Sequence, residues 1–183
     1  MATLNTNSVA QTGNNPFLKV VAALSNLSGW IAASFILLAV CVTCQMIFVR
    51  FVLNQSTIWQ TEFVVYLMIA ATLLGLPYVQ RLRGHVNVDL LPIMLPQPAR
   101  KTLAVITLLL GIAMMGIMVF YGFEFWYEAW SRNWRSDTVW GVRLWIPYLA
   151  MPVGLILYML QLIADLVALL QGIEKPFGIE GES

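Results

Sequence analysis

"GWIAASFILLAVCVTCQMIFV", Gly29 to Val49, runs for 21 residues without a charged side chain and stops at Arg50. A helix rises about 1.5 Å per residue, so roughly 20 apolar residues cross the ~30 Å hydrocarbon layer of a bilayer. This stretch is therefore read as a membrane span, and three more follow. "FVVYLMIAATLLGLPYV", Phe63 to Val79, is shorter. It reaches spanning length if its helix starts near Thr57, where "TIWQ" fits a capping box with Thr57 capping and Gln60 returning the bond. "LAVITLLLGIAMMGIMVFYGF", Leu103 to Phe123, is the core of the third span. The fourth runs from Leu144 to Leu170, with Pro147 near its start and Pro152 and Gly154 expected to bend it.

The rest of the composition agrees. Of 183 residues, 60% are hydrophobic and 10% charged, against roughly 25% charged in a soluble domain. The formal net charge of +1 gives no reason to expect a nucleic-acid partner. The sequence predicts an all-α integral membrane protein: four transmembrane helices plus short amphipathic interfacial helices. Residues 1–14 read as a polar, disordered tail with no signal-peptide pattern. Residues 15–172 form one four-helix membrane domain, with spans at about 29–50, 57–79, 101–130 and 144–170. Residues 173–183 read as a second tail. One interfacial helix is expected in "NPFLKVVAALSNLSG", where Phe17, Val20, Val21, Leu24 and Leu27 make an apolar stripe. The other is expected in "HVNVDLLPIMLP", cut short by its prolines.

Four spans put both termini on one side. That side carries Lys19, Arg81, Arg83, Arg100, Lys101 and Lys175; the other carries Arg50, Arg132, Arg135 and Arg143. The positive-inside rule then places the N- and C-termini in the cytoplasm. Trp59, Trp126, Trp130, Trp134, Trp140 and Trp145 crowd the opposite face as an aromatic belt.

Few groups could carry chemistry. His85 is the only histidine and Asp89 follows it four residues on, one helical turn away. Zinc wants three or four ligands, so two residues read as a polar pair fixing a turn at the membrane surface. Cys41 and Cys44 form "CVTC" inside an apolar span and read as inert thiols. Arg50 and Glu62 flank the first short connection and are expected to close it as a salt bridge, or else to bond a partner subunit. Glu124, Glu128 and Arg132 lie at four-residue spacing, with Glu128 before Arg132 the favourable order for a helical ion pair. Asp165, one turn beyond Gln161, is expected to be solvated. The span centres hold no acid, base or histidine, where transport cores place ion-binding groups. No catalytic, cofactor-binding or metal site is expected, and the chain reads as a helical scaffold rather than an enzyme.

Four motifs in order then carry a resemblance. They are "RFVLN" from Arg50, "WQTE" from Trp59, "GHVNVD" from Gly84 and "PVG" from Pro152. This pattern resembles the small membrane subunit, DctQ type, of tripartite ATP-independent periplasmic (TRAP) transporters. The connection "SRNWRSDTVWGVRLWIP" departs from the commonest form of the family in its length and its Trp and Arg content. The resemblance implies a place in the bacterial inner membrane beside a large elevator-type membrane subunit. That partner would hold the sodium and substrate sites, leaving no cofactor in this chain. It also implies a periplasmic substrate-binding protein that delivers an organic acid or related solute. Arg132, Arg135 and Arg143 are then a candidate docking patch for that protein, with phospholipid headgroups as the plainer contact. Arg50, Trp59, Glu62, His85 and Asp89 become candidates for subunit contact or architecture. The alternatives are an autonomous four-span dimeric exporter and a haem-bearing membrane anchor of a redox complex.

Overall fold

The computed structural model describes residues 15–82 and 96–173. Helix α1, Pro16–Phe51, starts with proline at its first position, where the missing N–H is no loss. It ends where Asn54 turns the chain at φ 49°. Helix α2 is Trp59–Arg81 and α3 is Gln97–Ser131. The short α4, Trp145–Tyr148, leads through Leu149 into α5, Ala150–Leu170. Four helical segments are long and apolar enough to cross a membrane: Pro16–Phe51, Trp59–Arg81, Ala99–Ser131 and Trp145–Leu170.

The expected interfacial helix is not a separate element. Residues 15–28 continue into the first span because nothing between Pro16 and Phe51 breaks the helix. At 36 residues, α1 is about 54 Å long and overshoots the hydrocarbon layer by several turns. The apolar stripe, apart from Val21, is not the face that meets the protein. Leu18, Val21, Ser25, Ser28, Gly29, Ala32 and Ala39 are buried, whereas Phe17, Val20, Leu24 and Leu27 are exposed. In lipid the packed face is the one with small side chains, since these let backbones approach, and the bulky apolar face points outward. The second expected interfacial piece, with His85 and Asp89, lies outside the described residues.

The helices do not form a closed four-helix bundle. Helices α1 and α2 make an antiparallel hairpin, α5 packs into both, and α3 packs against α5. Leu18 and Val21 of α1 meet Ala164 and Ala168 of α5 in one cluster. Met115 of α3 meets Leu155 and Leu162 of α5 in another. The most apolar 18-residue window is 39% buried in the span of α5 but 11% in α1 and in α3, so α5 is the keystone.

Two close approaches set the packing. Proline 77 lies inside α2 and has no N–H to give to the Leu73 carbonyl four residues back. Gly154 of α5 sits against that carbonyl: a Cβ at 154 would lie 2.6 Å from the Leu73 oxygen. At the other approach, a Cβ on Gly29 would lie 2.7 Å from Cδ2 of Tyr78. Gly154 therefore serves contact rather than bending. The interruption of the fourth span falls at Leu149, before Pro152, whose ring and missing N–H exclude the bond to the Tyr148 carbonyl.

Helices α3 and α5 finish alike. Asn133 at φ 47° and Gly172 at φ 68° adopt the left-handed conformation just past the helix end. Trp134 N–H donates to Ala129 O and Ile173 N–H to Ala168 O, both at 3.0 Å, while Asn133 N–H donates to Trp130 O and Gly172 N–H to Leu169 O, the paired hydrogen bonds that close a helix on its own carbonyls.

Candidate functional site

Polar side chains gather at the two ends of the helix array. At the end holding Pro16 and Leu170, three helices share one network. Ser25 of α1 donates to Gln161 Oε1 of α5 at 2.6 Å. Gln161 Nε2 donates to Asp165 Oδ1 at 2.7 Å, and Gln80 Nε2 of α2 donates to Asp165 Oδ2 at 2.9 Å. Tyr158 hydroxyl lies 3.5 Å from Gln80 Oε1. Arg81 reaches back to the Ala22 carbonyl at 2.9 Å, and Asn15 donates to Gln171. Gln161 is buried and Asp165 half-buried, so the expectation of a solvated Asp165 is corrected. Both lie one turn apart on the face of α5 that meets α1 and α2. Buried polar groups in an apolar medium must find partners, and here they find each other across helices.

At the opposite end Arg50 and Glu62 do not pair, contrary to the expected salt bridge. Arg50 Nε donates to Thr57 Oγ1 at 2.7 Å. Glu62 accepts from the Tyr66 hydroxyl and, at 2.5 Å, from Thr138 Oγ1. The connection between α1 and α2 positions the two residues toward different neighbours. This also undoes the expected capping box. Thr57 is engaged by Arg50, α2 begins at Trp59 with no side-chain cap, and Gln60 is buried with Oε1 lacking a partner among the described residues.

Glu62 thus fastens the connection between α3 and α4 onto α2. That connection is a tight hairpin: Ser136 N–H donates to Val142 O and Leu144 N–H to Trp134 O, both at 2.9 Å. Gly141 turns it at φ 60°. Trp140 packs on Trp59 and Phe63, with ring centroids 6.1 and 6.3 Å apart, and Trp59 meets Phe63 at 6.0 Å. On the other flank Trp126 meets Trp130 edge-to-face, Trp130 meets Trp145 at a tilt, and Trp126 Nε1 donates to the Trp145 carbonyl at 3.0 Å. The tryptophan belt is thus a packed layer that holds the hairpin between α2 and α3.

The three arginines of the expected docking patch separate. Arg132 pairs with Glu128 at 3.1 Å, as the helical spacing predicts. Both side chains are well exposed, so the pair is worth under about 1 kcal/mol. Arg135 and Arg143 sit opposite one another in the hairpin. His85 and Asp89 lie outside the described residues. Cys41 and Cys44 are free and exposed on α1. Among the described residues, no three His, Cys, Asp or Glu side chains come together as a metal site. The interhelical network was missed by sequence reasoning. Its signal was the run of small and polar residues at helical spacing, Ser25, Ser28, Gly29 and Ala32, with Gln161 and Asp165 one turn apart.

These features define a multi-pass helical membrane protein whose polar groups join helix to helix and loop to helix. Its sequence matches the profile of the DctQ component of tripartite ATP-independent periplasmic transporters over residues 39–172. The chain belongs to that family: it is a small membrane component of a TRAP transporter. Among curated proteins none matches the chain. The four quoted motifs fall inside the matched region, and the structure gives three of them a physical sense, with Trp59 and Glu62 of "WQTE" holding Trp140 and Thr138 as described above. "RFVLN" supplies the Arg50 bond to Thr57 and the left-handed Asn54, and "PVG" supplies the contact of Gly154 with Leu73.

Proposed function

We propose that this chain is the small permease subunit of a sodium-coupled uptake system for organic acids or related solutes. It braces the large elevator-type subunit in the bacterial inner membrane, while a periplasmic substrate-binding protein docks nearby. Sodium and solute are bound by the large subunit, and phospholipids fill the remaining helix faces. The observation that carries this reading is the open helix array. Helices α1 and α3 leave long apolar faces uncovered, among them Ile36, Leu37 and Val40 on one and Leu110, Met114 and Ile117 on the other. A chain that transports alone needs a polar path through its centre, whereas a brace needs apolar flanks around a fixed core. Here the polar networks knit the helices at their two ends.

The Lys and Arg distribution supports cytoplasmic termini and a periplasmic hairpin at residues 132–144. A cysteine replacing Gly141 should then react with an impermeant thiol reagent added to intact cells after outer-membrane permeabilisation, and one replacing Gln97 should not. The reverse labelling overturns the orientation. The role itself is tested by reconstituting the large subunit with and without this chain. Sodium-driven uptake of a labelled organic acid, with the binding protein supplied, should require both. Uptake at the same rate by the large subunit alone would remove the brace.

A further inference from the structure

We propose that Arg135 and Arg143 form a two-guanidinium clamp for a carboxylate on the acidic face of the delivery protein. The clamp rests on the docking reading above and narrows its patch from three arginines to two. Arg135 and Arg143 are partners in an isolated antiparallel bridge. The bonds Ser136 N–H to Val142 O and Leu144 N–H to Trp134 O lie on either side of the pair. Flanking bonds make it the narrow, non-hydrogen-bonded kind of cross-strand pair, with Cα atoms about 4.5 Å apart and both side chains on one face. Like charges directly opposite each other destabilise a hairpin. Both side chains are exposed, and neither has an ion-pair partner among the described residues. The neighbouring acids do not neutralise them. Glu62 is held by Tyr66 and Thr138, Glu128 by Arg132, and Asp137 of the hairpin pairs with neither arginine.

The fold holds the two backbone positions opposite each other. Gly141 N–H donates to the Thr138 carbonyl at 3.0 Å, Thr138 is anchored on Glu62, and Trp140 rests against Trp59 and Phe63. Two arginines rooted opposite each other on one face of a fixed backbone can converge on a single carboxylate, each offering it N–H donors. Between the two arms, Val139 at the tip is 88% exposed. An apolar tip flanked by charge fits a protein surface, where apolar contacts are ringed by polar ones, better than it fits a layer of lipid headgroups. Complementary charge of this kind sets orientation and speeds encounter.

The test uses the assembled transporter in nanodiscs of zwitterionic lipid and measures binding of its delivery protein. Arg135→Gln and Arg143→Gln should each weaken binding about tenfold. Arg132→Gln should change it less than about twofold. Arg135→Lys should fall between, because it keeps the charge and loses the fork. The thermal midpoint of the Arg143→Gln complex should hold or rise, since a like-charge repulsion is removed. Equal effects at all three arginines, or none at Arg135 and Arg143, overturn the clamp while leaving docking intact. A falling midpoint overturns it too, because the arginines would then serve the hairpin itself. The same measurement is repeated in nanodiscs that carry anionic lipid, and a loss confined to those assigns the pair to headgroups and overturns the protein clamp. No binding by the wild-type transporter sinks the docking reading and the clamp with it.

Discussion

Replacing Gly154 by alanine strikes the contact on which the array depends. The added Cβ would lie 2.6 Å from the Leu73 oxygen and 2.8 Å from its carbonyl carbon. Both are backbone atoms of α2, so no side chain can swing aside. Helices α2 and α5 must back off by about 0.8 Å to reach the 3.4 Å of ordinary contact. In a packed interior such overfilling costs about 1–3 kcal/mol. Exchange of glycine for alanine inside a helix returns about 1 kcal/mol, so the net loss should be at most about 2 kcal/mol. The same exchange at Gly116 of α3 meets nothing within 4 Å and should gain the propensity term alone. The assay is the unfolding midpoint of the purified chain in detergent, read by tryptophan fluorescence. Gly154→Ala should unfold earlier than wild type and Gly116→Ala no earlier. Equal midpoints for the two variants would refute the close approach of α2 and α5.

The remaining expectations concern polar groups. Gln161→Leu removes the bonds to Ser25 and Asp165, each worth about 0.6 kcal/mol and at most about 1.7 between membrane helices, and should cost about 1–2 kcal/mol in the same assay. Ser25→Ala should cost less, because the hydroxyl gives up a single bond; the opposite ranking would mean that the network is not centred on Gln161. Gln60→Met removes a buried oxygen that has no partner among the described residues and should leave the midpoint unchanged or raised; a clear fall would show that Gln60 is bonded in the folded chain. His85→Gln should leave most of the uptake of the reconstituted transporter and bring no dependence on added zinc or iron. Abolished uptake with assembly intact would give His85 a working role.

The four spans were legible because uninterrupted apolar length is a strong signal. Leu103–Phe123 and Gly29–Val49 could hardly be anything else. What the sequence did not reveal was which face of each helix turns inward. In α1 the apolar stripe through Phe17, Val20, Leu24 and Leu27 points outward, while Ser25, Ser28 and Gly29 carry the contact. In water the apolar face is the buried one; in lipid both faces are apolar and close fit decides. Pairing of Arg50 with Glu62 was inferred from opposite charge and nearness in the chain. The structure spends each on a hydroxyl, Thr57 for one and Thr138 and Tyr66 for the other. Thr138 is far along the chain from Glu62, so only the folded hairpin could have revealed that bond. The Glu128–Arg132 pair was readable because a helix fixes its geometry locally.

The central claim is that this open array is one part of a larger membrane assembly. Its most direct test is affinity purification of the tagged chain from native membranes in mild detergent, with the mass of the intact complex measured. The expected product is a stable complex of this chain with one larger multi-span protein, recovered in equal numbers. A homodimer of the chain with no larger partner, still carrying out transport in vesicles, would contradict it.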